Sequence, residues 1–161
     1  MPLEKKKQVI LKKVLRKEPL ICLTSYTAPI AKIADKFSDI ILVGDSVGPV
    51  LYDFETTRDV SLSMMIQHAK AVVKKTKKAL VVVDMPFGTY EKNKIVAYKN
   101  ACKIISETGA DGVKLEGGEK ISSIVKHLTQ KGILVVGHIG MLPQSFEGKY
   151  KVYGKNENQK K

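Results

Sequence analysis

The sequence predicts an α/β fold of the (β/α)₈ TIM-barrel type, incomplete, with about five βα units in its 161 residues. Three observations support this prediction. Short apolar segments typical of buried parallel strands recur along the chain, helix-like segments alternate with them, and polar side chains follow nearly every strand. A barrel gathers the carboxyl ends of its strands at one mouth, whereas a doubly wound sheet would carry a GxGxxG turn that is absent here.

Five segments predict strands because aliphatic residues run together and turn or charged residues bound them. The second segment is the one around which the others are arranged, since it leads directly into Gly44, Asp45 and Ser46. The predicted strands cover residues 20–26, 40–43, 79–84, 112–116 and 133–140.

Helical periodicity and helix-end signals predict five helices. Pro19 ends the first and Ser61 caps the third, while a glycine follows each of the last two. The predicted helices cover residues 8–18, 28–37, 62–75, 91–108 and 120–130, and residues 47–59 are predicted to be a long loop. The second helix has an apolar side formed by Ala28, Ile30, Ala31, Ile33, Ala34 and Phe37.

The composition, 43% hydrophobic and 27% charged, is typical of one globular domain. We assign residues 1–154 to the partial barrel and residues 155–161 to a polar tail that we expect to be disordered. No apolar run approaches the roughly 18 residues that a membrane span needs, and the N-terminal segment does not resemble a secretory signal. We therefore expect no membrane association.

The net charge of +12 raises nucleic acid as a partner. The lysines cluster mainly near the two ends of the chain, and we identify no aromatic stacking surface among them. We therefore expect no nucleic-acid partner. Cys22 and Cys102 lack the spacing of a zinc site or a disulfide framework, so we expect both to be reduced and buried in a cytoplasmic protein.

Acidic residues end three of the predicted strands, namely Asp45, Asp84 and Glu116. Carboxylate oxygens suit Mg²⁺, which retains water and leaves positions open for a substrate. Three unpaired carboxylates in one cleft would repel one another, so a cation or Lys114 must offset them. The alternative is that each acid caps the helix or loop that follows it.

Other polar residues at the strand ends also have more than one interpretation. Lys114 lies two residues before Glu116 and faces the same side of the strand, either as a clamp for a substrate anion or as the partner of an acid. Ser46 either binds a ligand oxygen or caps a turn. His138 orients substrate, acts in acid–base chemistry, or is structural.

Four ordered motifs resemble those of the ketopantoate hydroxymethyltransferase (3-methyl-2-oxobutanoate hydroxymethyltransferase) family. They lie at residues 43–48, 83–87, 113–118 and 137–145, and the resemblance covers about residues 20–154. It implies a (β/α)₈ barrel, Mg²⁺ and a homo-oligomer. It also implies transfer of a hydroxymethyl group from 5,10-methylenetetrahydrofolate to 3-methyl-2-oxobutanoate, giving 2-dehydropantoate in pantothenate (coenzyme A) biosynthesis.

The resemblance also implies roles for individual residues. Asp45 and Asp84 match metal and substrate ligands, Glu116 matches a further metal ligand, and Ser46 and Lys114 match residues that bind the oxo acid. Bound Mg²⁺ would assist enolate formation at C3 of the substrate. The family's general base is a glutamate on a later strand, beyond residue 161, so no catalytic base is assigned.

Two further hypotheses remain open. The chain is alternatively a catalytically inactive fragment that acts at most as a binding or assembly piece, which an exposed sheet edge would favour. Another Mg²⁺-dependent barrel enzyme of 2-oxo acids, such as a phosphoenolpyruvate mutase or isocitrate lyase relative, would share the metal chemistry but lacks the match to the four motifs.

Overall fold

The structure is a computed structural model, and it describes residues 1–145. The expected disordered tail at residues 155–161, and the last part of the predicted domain, lie outside the described residues. Eleven helices and strands form the framework of the described part. The helices are α1 (Leu3–Leu15), α2 (Ala28–Ala34), α3 (Val47–Leu51), α4 (Leu62–Val73), α5 (Lys94–Thr108) and α6 (Ser122–Gln130), and the strands are β1 (Cys22–Thr24), β2 (Ile40–Val43), β3 (Leu80–Asp84), β4 (Gly112–Glu116) and β5 (Val135–His138).

The five strands form one parallel sheet in the order β1-β2-β3-β4-β5. Each strand therefore pairs with the next strand along the chain, as successive βα units do when they build a barrel wall. This arrangement confirms the predicted fold class of an incomplete (β/α)₈ barrel. All five carboxyl ends lie at the same end of the sheet, which we call the mouth.

The core lies between the outer face of the sheet and the helices. Ile41 and Val43 of β2 and Val81 and Val83 of β3 are completely or almost completely buried there. Their neighbours along each strand point to the barrel interior, because successive side chains of a strand alternate between faces. β3 is buried on both faces, as the middle strand of the sheet should be.

Helix α1 closes the end of the sheet opposite the mouth. Lys6 Nζ donates to Asp111 Oδ2 at 2.7 Å, and both side chains are about nine-tenths buried. Lys13 Nζ lies 2.7 Å from Asp39 Oδ1. Because Asp39 and Asp111 precede β2 and β4, these ion pairs attach α1 to the amino ends of two strands. The helix begins five residues before the predicted residue 8.

Three expectations from the sequence are wrong. Residues 47–59 are not a continuous loop, since they contain α3 and a short 3₁₀ helix, Thr57–Asp59. Cys22 is exposed rather than buried, because β1 is an edge strand. Cys102 is only partly buried, against the edge of the core. On the apolar side of α2, Ile30, Ile33 and Phe37 are each at least half exposed in the described structure.

The helix-end predictions are largely confirmed. Ser61 Oγ accepts a hydrogen bond from the backbone N–H of Met64, as an N-cap does. Gly109 ends α5 with a φ of 74°, a left-handed conformation that favours glycine. None of the helices in residues 1–145 has the length and apolar character needed to span a membrane.

Candidate functional site

The backbone of Asp45 meets the carboxylate of Asp84 at the mouth. The backbone N–H of Asp45 donates to Asp84 Oδ2 at 3.2 Å. Asp84 is 4% exposed and Asp45 is half-buried. A Cβ at Gly44 would lie 2.9 Å from Ser46 Oγ, so a side chain there would displace the Ser46 hydroxyl. The glycine before Asp45 therefore has a steric role in the site.

Lys114 pairs with Asp84 across the sheet. Their Cα atoms are partners in the register of β3 and β4, so both side chains point to the same face. Lys114 Nζ lies 2.8 Å from Asp84 Oδ1. Burial raises the pKa of Asp84, and the charge and hydrogen bond of Lys114 oppose that rise. Lys114 thus offsets the acid on the neighbouring strand rather than Glu116 on its own strand.

Asp45 lies in an environment that disfavours the negative charge of its carboxylate. Burial raises the pKa of Asp45, and the nearby charge of Asp84 raises it further. A hydrogen bond from Gln144 and the charge of Lys114 act in the opposite direction. A cation bound beside these two carboxyl groups would relieve the repulsion between their negative charges.

Glu116 and His138 are neighbours on β4 and β5. Glu116 Oε1 accepts from the backbone N–H of Ser145 at 3.1 Å, and Oε2 lies 3.4 Å from His138 Nδ1. Burial raises the pKa of Glu116. Burial and the charge of Lys114 lower the pKa of His138, so the imidazole is mostly neutral at pH 7 and this contact is not an ion pair.

The hydroxyl of Ser46 lies beside a second hydroxyl. Ser46 Oγ is 2.7 Å from the Tyr26 hydroxyl, which follows β1. Although Ser46 occupies the N-cap position of α3, its side chain makes no capping hydrogen bond. The interpretation of Ser46 as a cap is therefore wrong, and the two hydroxyls form a polar pair next to Asp45.

The capping interpretation of the three acids is also wrong. Asn93, not Asp84, caps α5 through its Oδ1. The 3₁₀ helix after Glu116 has no side-chain cap, and α3 after Asp45 has none either. The acids instead contact Lys114, Gln144 and the backbone of Ser145.

The fit of Mg²⁺ to these residues rests on the two aspartates. Within residues 1–145, no group of three or more His, Cys, Asp and Glu side chains is arranged to hold a metal ion. Asp45 and Asp84 are nevertheless adjacent hard oxygen donors, and Mg²⁺ is commonly bound through one or two carboxylates together with water and substrate oxygens. The pair has the donor type that such an ion prefers, but protein atoms contact both oxygens of Asp84 as well as both oxygens of Glu116. The role of all three acids as metal ligands is therefore a prediction.

Gln144 is the site residue that the sequence did not single out. Its Nε2 donates to Asp45 Oδ2 at 2.6 Å although the two residues are 99 positions apart. Gln144 lies within the fourth motif, residues 137–145, but nothing in the sequence assigned a role to it. A glutamine in that position carries no distinctive chemistry until the fold places it against a carboxylate.

The fold and the mouth together define part of a (β/α)₈ barrel with an acidic site at its carboxyl end. Two solved structures share this fold. Phosphonopyruvate hydrolase in complex with oxalate and Mg²⁺ matches with a TM-score of 0.62 and 13% identity over 82% of this chain and 51% of that chain. For 2,3-dimethylmalate lyase, a PEP mutase/isocitrate lyase superfamily member, the TM-score is 0.58 with 13% identity, over 82% of this chain and 52% of that one.

The chain belongs to the ketopantoate hydroxymethyltransferase family, whose family model matches residues 5–161. The 3-methyl-2-oxobutanoate hydroxymethyltransferase of Rhizobium etli is 51% identical over 144 residues, which are 88% of this chain and 53% of that protein. The protein of the same name from Anaplasma marginale is 53% identical over 143 residues, covering 88% and 51%. The chain spans about half the length of the curated relatives it matches. The resemblance deduced from the four motifs is confirmed.

Proposed function

We propose that this chain provides the metal- and oxo-acid-binding part of a 3-methyl-2-oxobutanoate hydroxymethyltransferase. The proposed reaction transfers a hydroxymethyl group from 5,10-methylenetetrahydrofolate to 3-methyl-2-oxobutanoate. The observation that carries the proposal is the contact of Asp45 with Asp84 at the mouth, with Lys114 paired to Asp84. The names of relatives about 50% identical to the chain support transfer of a hydroxymethyl group to 3-methyl-2-oxobutanoate.

In this proposal Asp45 and Asp84 hold Mg²⁺ and Glu116 lies nearby as a further acidic group. Mg²⁺ bound there would stabilise the negative charge that develops on the substrate when C3 loses its proton. Lys114 supplies a positive charge that a substrate carboxylate can share with Asp84. The Ser46 hydroxyl, already paired with Tyr26, supplies a hydrogen-bond donor or acceptor for a substrate oxygen.

His138 acts here in its neutral form, because its pKa is lowered. A neutral imidazole next to Glu116 is suited to orienting a substrate oxygen or a water molecule by hydrogen bonding. The group that accepts the C3 proton is not assigned within residues 1–145. We also propose a cytoplasmic homo-oligomer that acts on small molecules and binds no nucleic acid.

The test separates binding from chemistry. Titration calorimetry measures Mg²⁺ binding and then 3-methyl-2-oxobutanoate binding in the presence of Mg²⁺. We expect Asp45→Asn to weaken Mg²⁺ binding at least about tenfold, because a neutral amide is a poorer ligand for a hard cation than a carboxylate. Asp53→Asn is the matched control, since Asp53 is exposed and its φ of 56° suits asparagine.

Proton–deuterium exchange at C3 of the oxo acid, followed by NMR without folate, then reports the first chemical step. Exchange that is faster than in buffer alone and that is lost in Asp45→Asn supports the proposed enzymatic function. Binding of Mg²⁺ and oxo acid without exchange supports the alternative of an inactive binding piece. If neither Mg²⁺ nor the oxo acid binds to the wild-type chain, the proposed function is wrong.

A further inference from the structure

The side chain of Gln144 is buried among polar groups at the mouth and is only 3% exposed. Its Nε2 donates to Asp45 Oδ2 at 2.6 Å and to the backbone carbonyl of Met85 at 3.1 Å. Its Oε1 accepts from the Tyr90 hydroxyl at 2.6 Å. The amide therefore uses both of its ends in a region from which water is largely excluded.

These partners fix which way the amide faces. Both groups near Nε2, a carboxylate oxygen and a carbonyl oxygen, can only accept hydrogen bonds when the carboxyl group is ionised. A reversed amide would place Oε1 against two acceptors, and burial makes such a contact costly. Gln144 is therefore committed to donating a hydrogen bond to Asp45.

Tyr90 anchors the other end of the amide. Its side chain is almost completely buried, and its hydroxyl lies 2.8 Å from the carbonyl oxygen of Glu116 and 3.2 Å from the Glu116 backbone nitrogen. The neighbouring Ser145 donates its backbone N–H to Glu116 Oε1 at 3.1 Å. Gln144 consequently connects the carboxyl ends of three strands: Asp45 follows β2, Met85 follows β3, and Glu116 ends β4.

We propose that Gln144 is a positioning residue for the metal site, which holds Asp45 Oδ2 so that the other carboxylate oxygen of Asp45 is directed to a divalent cation. This inference rests on the proposed function, because it assumes that Asp45 binds the cation. Gln144 itself does not touch the cation. It acts on affinity by restricting the rotation of the Asp45 carboxylate, as residues around metal ligands generally do.

The test compares Mg²⁺ affinity between the wild-type chain and Gln144→Leu by titration calorimetry. The leucine has a similar volume and no hydrogen-bonding group. We expect the dissociation constant for Mg²⁺ to rise about tenfold or more, within the range typical for loss of a residue that orients a metal ligand. Far-UV circular dichroism and urea unfolding establish whether the variant is folded.

A control variant that is destabilised at a distance from Asp45 distinguishes a positioning role of Gln144 from a general loss of stability. Gly112→Ala introduces a Cβ 2.6 Å from the Leu134 backbone oxygen, away from Asp45, and should lower stability without changing Mg²⁺ affinity. If this variant loses Mg²⁺ affinity to the same extent as Gln144→Leu, affinity follows stability and the inference is overturned. Wild-type affinity in a folded Gln144→Leu chain would overturn it as well.

Tyr90→Phe provides a second variant should Gln144→Leu fail to fold. It removes the hydroxyl that anchors Oε1 but leaves the contact between Gln144 and Asp45, so we expect a smaller but measurable loss of Mg²⁺ affinity. Unchanged affinity in Tyr90→Phe would then refute the positioning role. If the wild-type chain binds no Mg²⁺, the proposed function fails first and this inference with it, whereas wild-type binding with unaffected variants refutes only the inference.

Discussion

Replacement of Lys114 by methionine would expose how much the site depends on one positive charge. Lys114 Nζ is 2.8 Å from Asp84 Oδ1, and the Asp84 side chain is 6% exposed. Removal of one partner from a buried ion pair typically costs about 3–5 kcal/mol of unfolding free energy. Because the Asp45 backbone N–H still donates to Asp84, we expect a loss of unfolding free energy at the lower end of this range, about 3 kcal/mol at pH 8. For a chain of this size that corresponds to a fall in Tm of about 6–12 °C.

The loss should depend on pH, and its sign follows from the pKa of Asp84. Burial already raises this pKa, and loss of Lys114 would raise it further. A carboxyl group with a raised pKa binds its proton more tightly in the folded chain than in the unfolded chain, so its ionisation destabilises the fold. The penalty is absent below the unfolded pKa and complete above the folded pKa. Lys114→Met should therefore lose less stability at pH 5 than at pH 8.

Urea unfolding at both pH values, with and without Mg²⁺, measures this effect. Lys99→Met is the matched control, since Lys99 is exposed on α5 and its replacement should change stability by less than about 0.5 kcal/mol. Added Mg²⁺ should recover part of the lost stability, because it replaces the missing positive charge beside Asp84. An equal loss at pH 5 and pH 8, or a loss no larger than that of the control, would refute this reasoning.

Two further predictions concern the sheet. Gly112→Ala should lower the unfolding free energy by about 1–3 kcal/mol, because the new Cβ would lie 2.6 Å from the Leu134 backbone oxygen. Gly137→Ala is the control and should be nearly neutral, since no atom lies within 4 Å of its Cβ. Similar urea midpoints for the two variants would contradict this steric explanation. Leu23→Lys should reduce concentration-dependent self-association measured by light scattering, because a lysine on edge strand β1 opposes pairing of that strand with another chain. Ile95→Lys on α5 is the control, and an equal reduction from it would indicate a general effect of charge instead.

Local patterns accounted for much of the framework. The uninterrupted aliphatic runs of β2 and β3 indicate strands covered on both sides, which holds for β3, whereas alternate residues of β2 are only partly buried. Ser61 and Gly109 mark helix ends by chemistry that acts within a few residues. The errors arose where burial depends on a distant neighbour. Cysteine is a residue type that is usually buried, but Cys22 lies on edge strand β1 and is exposed.

The sequence by itself determined that acidic residues end successive parallel strands, because strand and turn preferences are local. Only the tertiary structure decided which of these groups meet. The register of β3 and β4 pairs Lys114 with Asp84, and neither strand alone encodes that register. Folding also places Gln144 against Asp45 across 99 residues of chain. Such contacts depend on how separate elements pack. Asp84 and Lys114 could therefore be identified in advance but not as partners, and the role of Gln144 could not be identified at all.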